Sequence, residues 1–340
     1  FWRAEEQNRP YEFSQKILRF LGEARTRLGD PEYPRYLETV YCCTKPGAQQ
    51  LLDVLKRQVQ ATGALPAPET IVAEHINDPM NTANAKQTVL HTFWGGKVNR
   101  PFAFALAAVW EERFGYRLEV FANNDCILLN LPHEITMDEV VRMVAPSEVV
   151  RMLRKRLEST GYFGAKFREN AQRALLLPKK TVKQRMPLWL NRLRSRKLLE
   201  AVSGAEDFPI VLETWRECLS SEFDLDRLSL LLDQLRTGEI AIVEASTAMP
   251  SPFAEEIVWR QTNYYMYEDD TPGASLTTSL SDQLIQELLK SPDTVPQIPK
   301  ELVEELEAKL QRTAAGYVPE TPEEVLGLLQ ERLVIPREEI

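Results

Sequence analysis

The densest chemistry in this sequence is the run Lys179-Lys180-Thr181-Val182-Lys183-Gln184-Arg185, bounded by Pro178 and Pro187 and followed by Trp189. Lysines and arginines spaced this closely neutralise phosphates, and an aromatic plane beside them stacks on an unpaired base. Together they make the grip used on single-stranded nucleic acid. Arg168 and Arg173 precede the run and Arg192 follows it. Between residues 151 and 200, fifteen Lys/Arg stand against three Glu, a block charge of +12 in a chain whose total is -9; the remainder therefore carries -21. Such polarisation suits a molecule that meets a polyanion with one face and repels it elsewhere. Tyr162, Phe163, Phe167 and Trp189 are interleaved with these charges, which a merely solvated helix face does not require. Trp94 beside Lys97 and Arg100, in a glycine turn, and Trp2 beside Arg3 repeat the recipe on a smaller scale. Trp110, Trp215 and Trp259 instead occupy helical apolar patterns, where core burial is the expectation.

Other chemistries lack their residues. No GxxxxGK[ST] loop occurs, and Gly95-Gly96-Lys97 has neither the leading glycine nor the hydroxyl that would hold magnesium, so no nucleotide-hydrolysing site is expected in this segment. His75, His91 and His133 form no HExxH; the first two can lie on adjacent strands, where they read as hydrogen-bonded strand residues rather than metal ligands. No GxSxG is present and no Cys or Ser has an identifiable base, so no catalytic and no metal site is expected. The acid pairs Glu111-Glu112, Asp269-Asp270 and Glu323-Glu324 read as solvated charges. A glycosidase would need two carboxylates converging in a cleft, and a base-excising activity an acid beside a base-sized pocket.

Positioning a grip requires a folded scaffold, and 340 residues at 44% apolar and 27% charged can bury a core with two or three subdomains. No stretch approaches the roughly 18 apolar residues of a membrane span, and Phe1-Trp2-Arg3-Ala4-Glu5-Glu6 is not a signal peptide. Without Met, that start reads as a cut from a longer protein. Cys42, Cys43, Cys126 and Cys218 show no CxxC spacing, which fits a reduced, cytoplasmic setting.

Apolar residues recur at helical spacing in Phe13, Ile17, Phe20 and Leu21, and again in Leu51, Leu52, Leu55 and Val59, until Leu65-Pro66-Ala67-Pro68 intervenes. The period then shortens to two in residues 70–76 and 87–93, two predicted strands joined by residues 77–85. A helix is predicted over 101–114 and a hairpin over 118–131, its turn at Ala122-Asn123-Asn124-Asp125. Helices follow from Thr136 to about Arg236, broken by the basic loop, and Ile240-Ala241-Ile242-Val243-Glu244 could belong to a winged-helix unit. Ser251-Pro252-Phe253-Ala254 caps a last large helix, and short helices are predicted near 280–290, 299–312 and 321–332 of an acidic tail. These elements divide the chain into a helical subdomain (1–68), a small β-rich subdomain (69–132), a helical, basic, winged-helix-like subdomain (133–270) and a tail (271–340).

Ordered motifs along most of the chain resemble one family. They are Phe1-Trp2-Arg3 with Arg9-Pro10-Tyr11-Glu12; Thr70-Ile71-Val72-Ala73-Glu74; Val89-Leu90-His91-Thr92-Phe93-Trp94-Gly95-Gly96-Lys97-Val98-Asn99; and Phe167-Arg168-Glu169-Asn170-Ala171 with Ala174-Leu175-Leu176-Leu177-Pro178. Pro187-Leu188-Trp189, the segment from Phe208 to Cys218, Ser251-Pro252-Phe253-Ala254 and Tyr265-Met266-Tyr267-Glu268 continue the series. This pattern resembles the DEAD/H-associated region, the fourth domain of the core of the large helicase-related (Lhr) family of superfamily 2. The resemblance implies an ATP-dependent translocase moving 3′ to 5′ on single-stranded DNA and displacing DNA or RNA strands, an RNA-DNA hybrid among them. ATP and magnesium would then be held by RecA-like motor domains which, with a winged-helix domain, lie elsewhere on the same polypeptide. It also implies that Trp2 matches the family tryptophan that stacks on a base of the tracking strand. At Thr92-Phe93-Trp94-Gly95 the family more usually has proline-phenylalanine-glycine, so Trp94 inherits no role.

The expectation is therefore an α+β fold: helical subdomains around a small antiparallel sheet or partial barrel at about 70–131. Its nucleic-acid contacts would be Trp2, Arg3, Lys97, Arg100, Arg168, Arg173, Lys179, Lys180, Lys183, Arg185, Trp189 and Arg192. The competing class is a protein-interaction or structural module. The two differ in whether the basic block faces solvent or is covered by acids of the same chain.

Overall fold

The computed structural model describes residues 8–77, 86–131, 135–177, 188–203, 205, 207–267 and short stretches between 304 and 325. Contacts group the chain into two units, 1–288 and 289–340. In the second, short helical stretches at 304–306 and 308–309 carry the Glu305-Lys309 ion pair, 2.6 Å long. The helix expected near 280–290 lies outside the described residues.

The first unit opens with helices α1 (Tyr11–Arg27), α2 (Tyr33–Val40) and α3 (Lys45–Thr62). The apolar stripe of α1 buries Leu18, Leu21 and Ala24, while that of α3 buries Ala48, Leu52 and Leu55. Thr44 caps α3 by accepting the Gly47 N–H, and Pro46 sits in its first turn, where its missing donor costs nothing.

Strands β1 (Thr70–Ile76) and β2 (Lys86–His91) follow, then helix α4 (Gly96–Phe114) and the hairpin of β3 (Glu119–Ala122) and β4 (Cys126–Leu131). Helix α4 begins earlier than the sequence suggests and keeps Pro101 inside it. A proline there deprives the carbonyl four residues back, that of Lys97, of its helical donor. The N–H of Asp224 supplies a replacement at 2.9 Å, joining α4 to the N-cap of a helix more than a hundred residues later. Helix α4 buries Val98, Phe102, Ala105, Leu106, Ala108 and Trp110, which lie on most of its faces, as befits a helix surrounded by other elements.

Helices α5 (Met137–Arg142), α6 (Val149–Arg156), α7 (Gly161–Arg173), α8 (Leu188–Val202) and α9 (Pro209–Arg216) come next. A π-helical turn at Glu217–Glu222 leads to α10 (Leu225–Thr237), strand β5 (Ala241–Thr247) and α11 (Glu255–Tyr267). The sheet order is β3-β4-β2-β1-β5. Its first four strands are antiparallel, as expected, but β5 pairs with β1 in parallel, from Thr70 opposite Ala241 to Ile76 opposite Thr247. The strand that could have belonged to a winged-helix unit is thus the fifth strand of a mixed sheet, and no barrel closes among the described strands. Two-sided pairing explains why β1 is buried almost throughout. One face of the sheet packs Ile76, Val89, Cys126 and Leu128 against Ala254 and Ile257 at the start of α11. Among the described residues, no helix is long and apolar enough to cross a membrane.

Candidate nucleic-acid interface

The basic block is not one surface. Its first part is largely neutralised by glutamates of the same chain. Arg151 bonds to Glu148 at 2.7 Å and to Glu112 at 3.3 Å, Lys155 reaches Glu112 at 3.2 Å, and Arg156 meets Glu111 at 3.2 Å. Glu111 and Glu112, read as solvated charges, are therefore the counter-ions of α6. On α7, Lys166 lies 2.8 Å from Glu222, 3.3 Å from Glu169 and 3.6 Å from Glu217. Arg173 is mostly exposed and touches Asn170 and Glu217 at the end of its reach. Arg168 and Arg192 are half-buried.

The later part differs. From residue 170 to 199 the sequence holds no Asp or Glu. On α8, which packs against α7, Arg194, Arg196 and Lys197 are exposed, and Arg196 is paired within its own helix to Glu200 at 3.3 Å. Lys179, Lys180, Lys183 and Arg185 lie outside the described residues, as does the side chain of Trp189.

Lys97 and Arg100 make contacts within the chain. Lys97 donates to the carbonyl of Ser221 at 2.8 Å. Arg100 donates from Nε to Asn8 Oδ1 at 2.7 Å and lies 5.4 Å from the centre of the Tyr162 ring. Asn8 in turn donates to Glu222 at 2.6 Å and to the Tyr162 hydroxyl at 3.1 Å. Arg9 completes the clamp: its backbone N–H donates to Asn124 Oδ1 at 2.7 Å, and its guanidinium to Asp125 at 2.6 Å and Ser14 at 2.9 Å. The glycine pair gives the clamp its seat. A Cβ on Gly95, whose φ is +89°, would overlap the Arg9 carbonyl, and one on Gly96 would overlap the Asn8 side chain. Trp2 and Arg3, a few residues upstream, lie outside the described residues.

The tryptophans sort differently from their patterns. Trp94 is 2% exposed and packs against Phe102, so it offers no face to a base. Trp110 and Trp215 are buried as expected, and the Trp215 indole donates to Glu158 at 2.6 Å. Trp259, expected in the core, is 58% exposed. It lines a surface pocket with Pro250, Pro252, Val258, Glu255 and Glu256, whose carboxylates oppose a phosphate backbone.

The sheet holds a constellation the sequence did not reveal. Glu74 is fully buried and accepts from His91 Nε2, Thr247 Oγ1 and the Ser251 N–H at 2.8 Å each, and from the Ser251 hydroxyl. His91 Nδ1 lies 3.4 Å from Cys126 Sγ, so the connectivity is that of a thiol, a base and an orienting acid. With Nε2 donating to Glu74, Nδ1 accepts from the thiol. Burial, followed by the charges of Asp125 and Glu74, pushes the Cys126 thiol well above its ordinary range. A shielded, protonated thiol is no nucleophile, and the set works as a core fastening. No signal in the sequence joined residues so far apart. His75 does not join His91: it bonds to Thr88 at 3.0 Å and to Glu244 at 3.2 Å. Among the described residues no group of His, Cys, Asp and Glu could hold a metal ion.

Fold and surface together define an α+β domain in which part of a basic block is paired with glutamates of the same chain. Residues 65–254 match the DEAD/H associated family, and the chain belongs to it. The chain is 32% identical over 336 residues to the Lhr helicase/uracil glycosylase of Escherichia coli, covering 97% of this chain and 21% of that protein. It is 30% identical over 340 residues to the Lhr helicase/probable uracil glycosylase of Mycolicibacterium smegmatis, covering 97% and 22%. It thus spans about a fifth of the length of these relatives. The solved structure of Mycobacterium smegmatis helicase Lhr bound to ssDNA and AMP-PNP superposes with a TM-score of 0.63 at 32% identity, over 75% of this chain and 32% of that one.

Proposed function

We propose that this chain is the single-stranded-DNA grip of an ATP-dependent Lhr-type helicase, holding the strand behind a motor that lies on the same longer polypeptide. The observation that carries the reading is the sorting of charge. Arg151, Lys155, Arg156 and Lys166 on α6 and α7 are paired with glutamates of the same chain, whereas the stretch from 170 to 199 holds no acid of its own and keeps Lys197 at the surface. The likeness to a helicase whose structure contains ssDNA supports it further. In this reading, phosphates meet Arg168, Arg173, Lys179, Lys180, Lys183, Arg185 and Arg192, with Trp189 beside them. Trp2 stacks on a base of the tracking strand and Arg3 meets its phosphate. Arg100 acts one step back, by fixing Asn8 and so the start of the segment that carries Trp2, while Lys97 ties α4 to Ser221. The reading includes 3′-to-5′ movement, displacement of DNA or RNA strands, ATP and magnesium in RecA-like domains, a winged-helix domain before this one and a cytoplasmic setting. Trp2→Ala should weaken binding of a single-stranded oligonucleotide by about 1 to 3 kcal/mol, read by fluorescence anisotropy, with an unchanged melting temperature. Unaltered affinity would remove Trp2 from the grip.

A second reading applies to a different face. The Trp259 pocket, with Glu255 and Glu256 at its rim, favours a polypeptide partner there, in keeping with a domain that also contacts neighbours in a longer chain.

A further inference from the structure

Trp259 keeps 58% of its surface in water, and Met249, just before the turn that leads into α11, keeps 77%. Leaving apolar side chains of this size hydrated is unfavourable, and tryptophan is among the residues that dominate the energy of protein contacts. The walls beside Trp259 are fixed before any partner arrives. Pro250 and Pro252 have locked φ angles and no N–H to satisfy. Ser251 between them is tied to the buried Glu74 carboxylate through its N–H at 2.8 Å and its hydroxyl. Ala254 and Ile257 then root the start of α11 in the sheet core. An apolar pocket built on such supports needs little ordering when it is filled.

Charge specifies the occupant. Glu255 and Glu256 precede Trp259 by four and three residues, a spacing that puts both carboxylates on the indole's side of α11. Glu256 serves Arg260 at 2.6 Å, whereas Glu255 is exposed and enters no ion pair among the described residues. From Thr237 to Trp259 the sequence holds four Glu and no Lys or Arg. Such a setting repels phosphate and attracts a cation, and the indole selects one that can lie flat on an aromatic ring. A guanidinium does so, being planar, always charged and weakly hydrated. The two prolines offer apolar walls to the aliphatic stem that carries it.

We propose that the Trp259 pocket docks a basic polypeptide segment, which lays one arginine on the indole with its charge against Glu255. The proposal rests on the reading of this face as a polypeptide contact and names the chemistry of the partner.

The test compares the 340-residue chain with Trp259→Ala and with Glu255→Gln. Both side chains are exposed, so each variant should keep the melting temperature of the unaltered chain. The probes are two dye-labelled synthetic peptides of one length, arginine alternating with alanine and citrulline alternating with alanine; citrulline keeps the shape of arginine and lacks its charge. By anisotropy, the arginine peptide should bind Trp259→Ala about five- to tenfold and Glu255→Gln about two- to threefold more weakly than the unaltered chain. A single-stranded oligothymidylate should bind all three proteins alike. Equal affinity of the arginine peptide for Trp259→Ala and for the unaltered chain would overturn the proposal. Equal binding of the two peptides through Trp259 would overturn the charge match and leave the face a polypeptide contact, whereas failure of both to bind would overturn the polypeptide reading as well. Weaker oligothymidylate binding by Trp259→Ala would reassign the indole to the DNA grip.

Discussion

His91 donates from Nε2 to the Glu74 carboxylate at 2.8 Å, and neither side chain is exposed to water. The same carboxylate accepts from Thr247 and twice from Ser251. Through it, β1 holds β2, β5 and the segment that starts α11. Glu74→Ala leaves these buried donors without an acceptor, and unfolding free energy in urea titration should fall by about 3 kcal/mol. A fall below about 1 kcal/mol would show that water or a neighbour replaces the carboxylate.

The same residue gives a pH dependence. Burial on its own would push the Glu74 carboxyl up, but hydrogen bonds from His91 and Ser251 outweigh it and hold the carboxyl below its ordinary value of 4.5. A folded-state value below the unfolded one means that its contribution is fully present above the ordinary carboxylate range. The contribution then disappears as pH falls through the depressed value. Melting temperature should therefore fall more steeply on acidification below about pH 4.5 in the unaltered chain than in Glu74→Gln, which cannot titrate. Parallel curves for the two proteins would contradict this assignment.

The seat of the N-terminal clamp is equally specific. Gly96→Ala would force its Cβ into Asn8 Oδ1 and to within 2.8 Å of Asn124 Oδ1. Stability should drop by about 1 to 3 kcal/mol. The amide of Arg9, bonded to Asn124, should exchange its hydrogen faster. Gly29→Ala, with nothing within 4 Å of the added carbon, should stay within about 0.5 kcal/mol of the unaltered chain. Equal effects of the two substitutions would mean that the clamp does not depend on the glycine pair.

Much of this fold is legible in residue spacing. The helices around Leu18 and Leu52 and the strands around Val72 and Val89 follow from local periodicity. What periodicity cannot express is which distant segment becomes a neighbour. The pairing of Val72 with Val243 joins residues with most of the domain between them, so the fifth strand read as a local unit. Trp94 and Trp259 show the same limit for side chains. A glycine turn suggested exposure for Trp94, but the clamp on Asn8 and Arg9 folds over the turn that follows it and Phe102 packs on its ring. A helical apolar pattern suggested burial for Trp259, yet the α11 surface that reaches the sheet is the one bearing Ile257. The basic block was legible as charge, while its division was not, because Glu111, Glu112, Glu217 and Glu222 reach it only through tertiary packing.

That division is the central claim, and salt dependence measures it. Anisotropy titrations with single-stranded DNA across a salt series should give one slope for the unaltered chain and the same slope for Arg151→Ala/Lys155→Ala, whose cations already serve Glu112. Replacing Lys179, Lys180, Lys183 and Arg185 by alanine should shallow the slope by about 0.7 for each phosphate left unneutralised. No binding at low salt, or an equal change of slope in the two variants, would contradict the assignment of the grip to the acid-free half of the block.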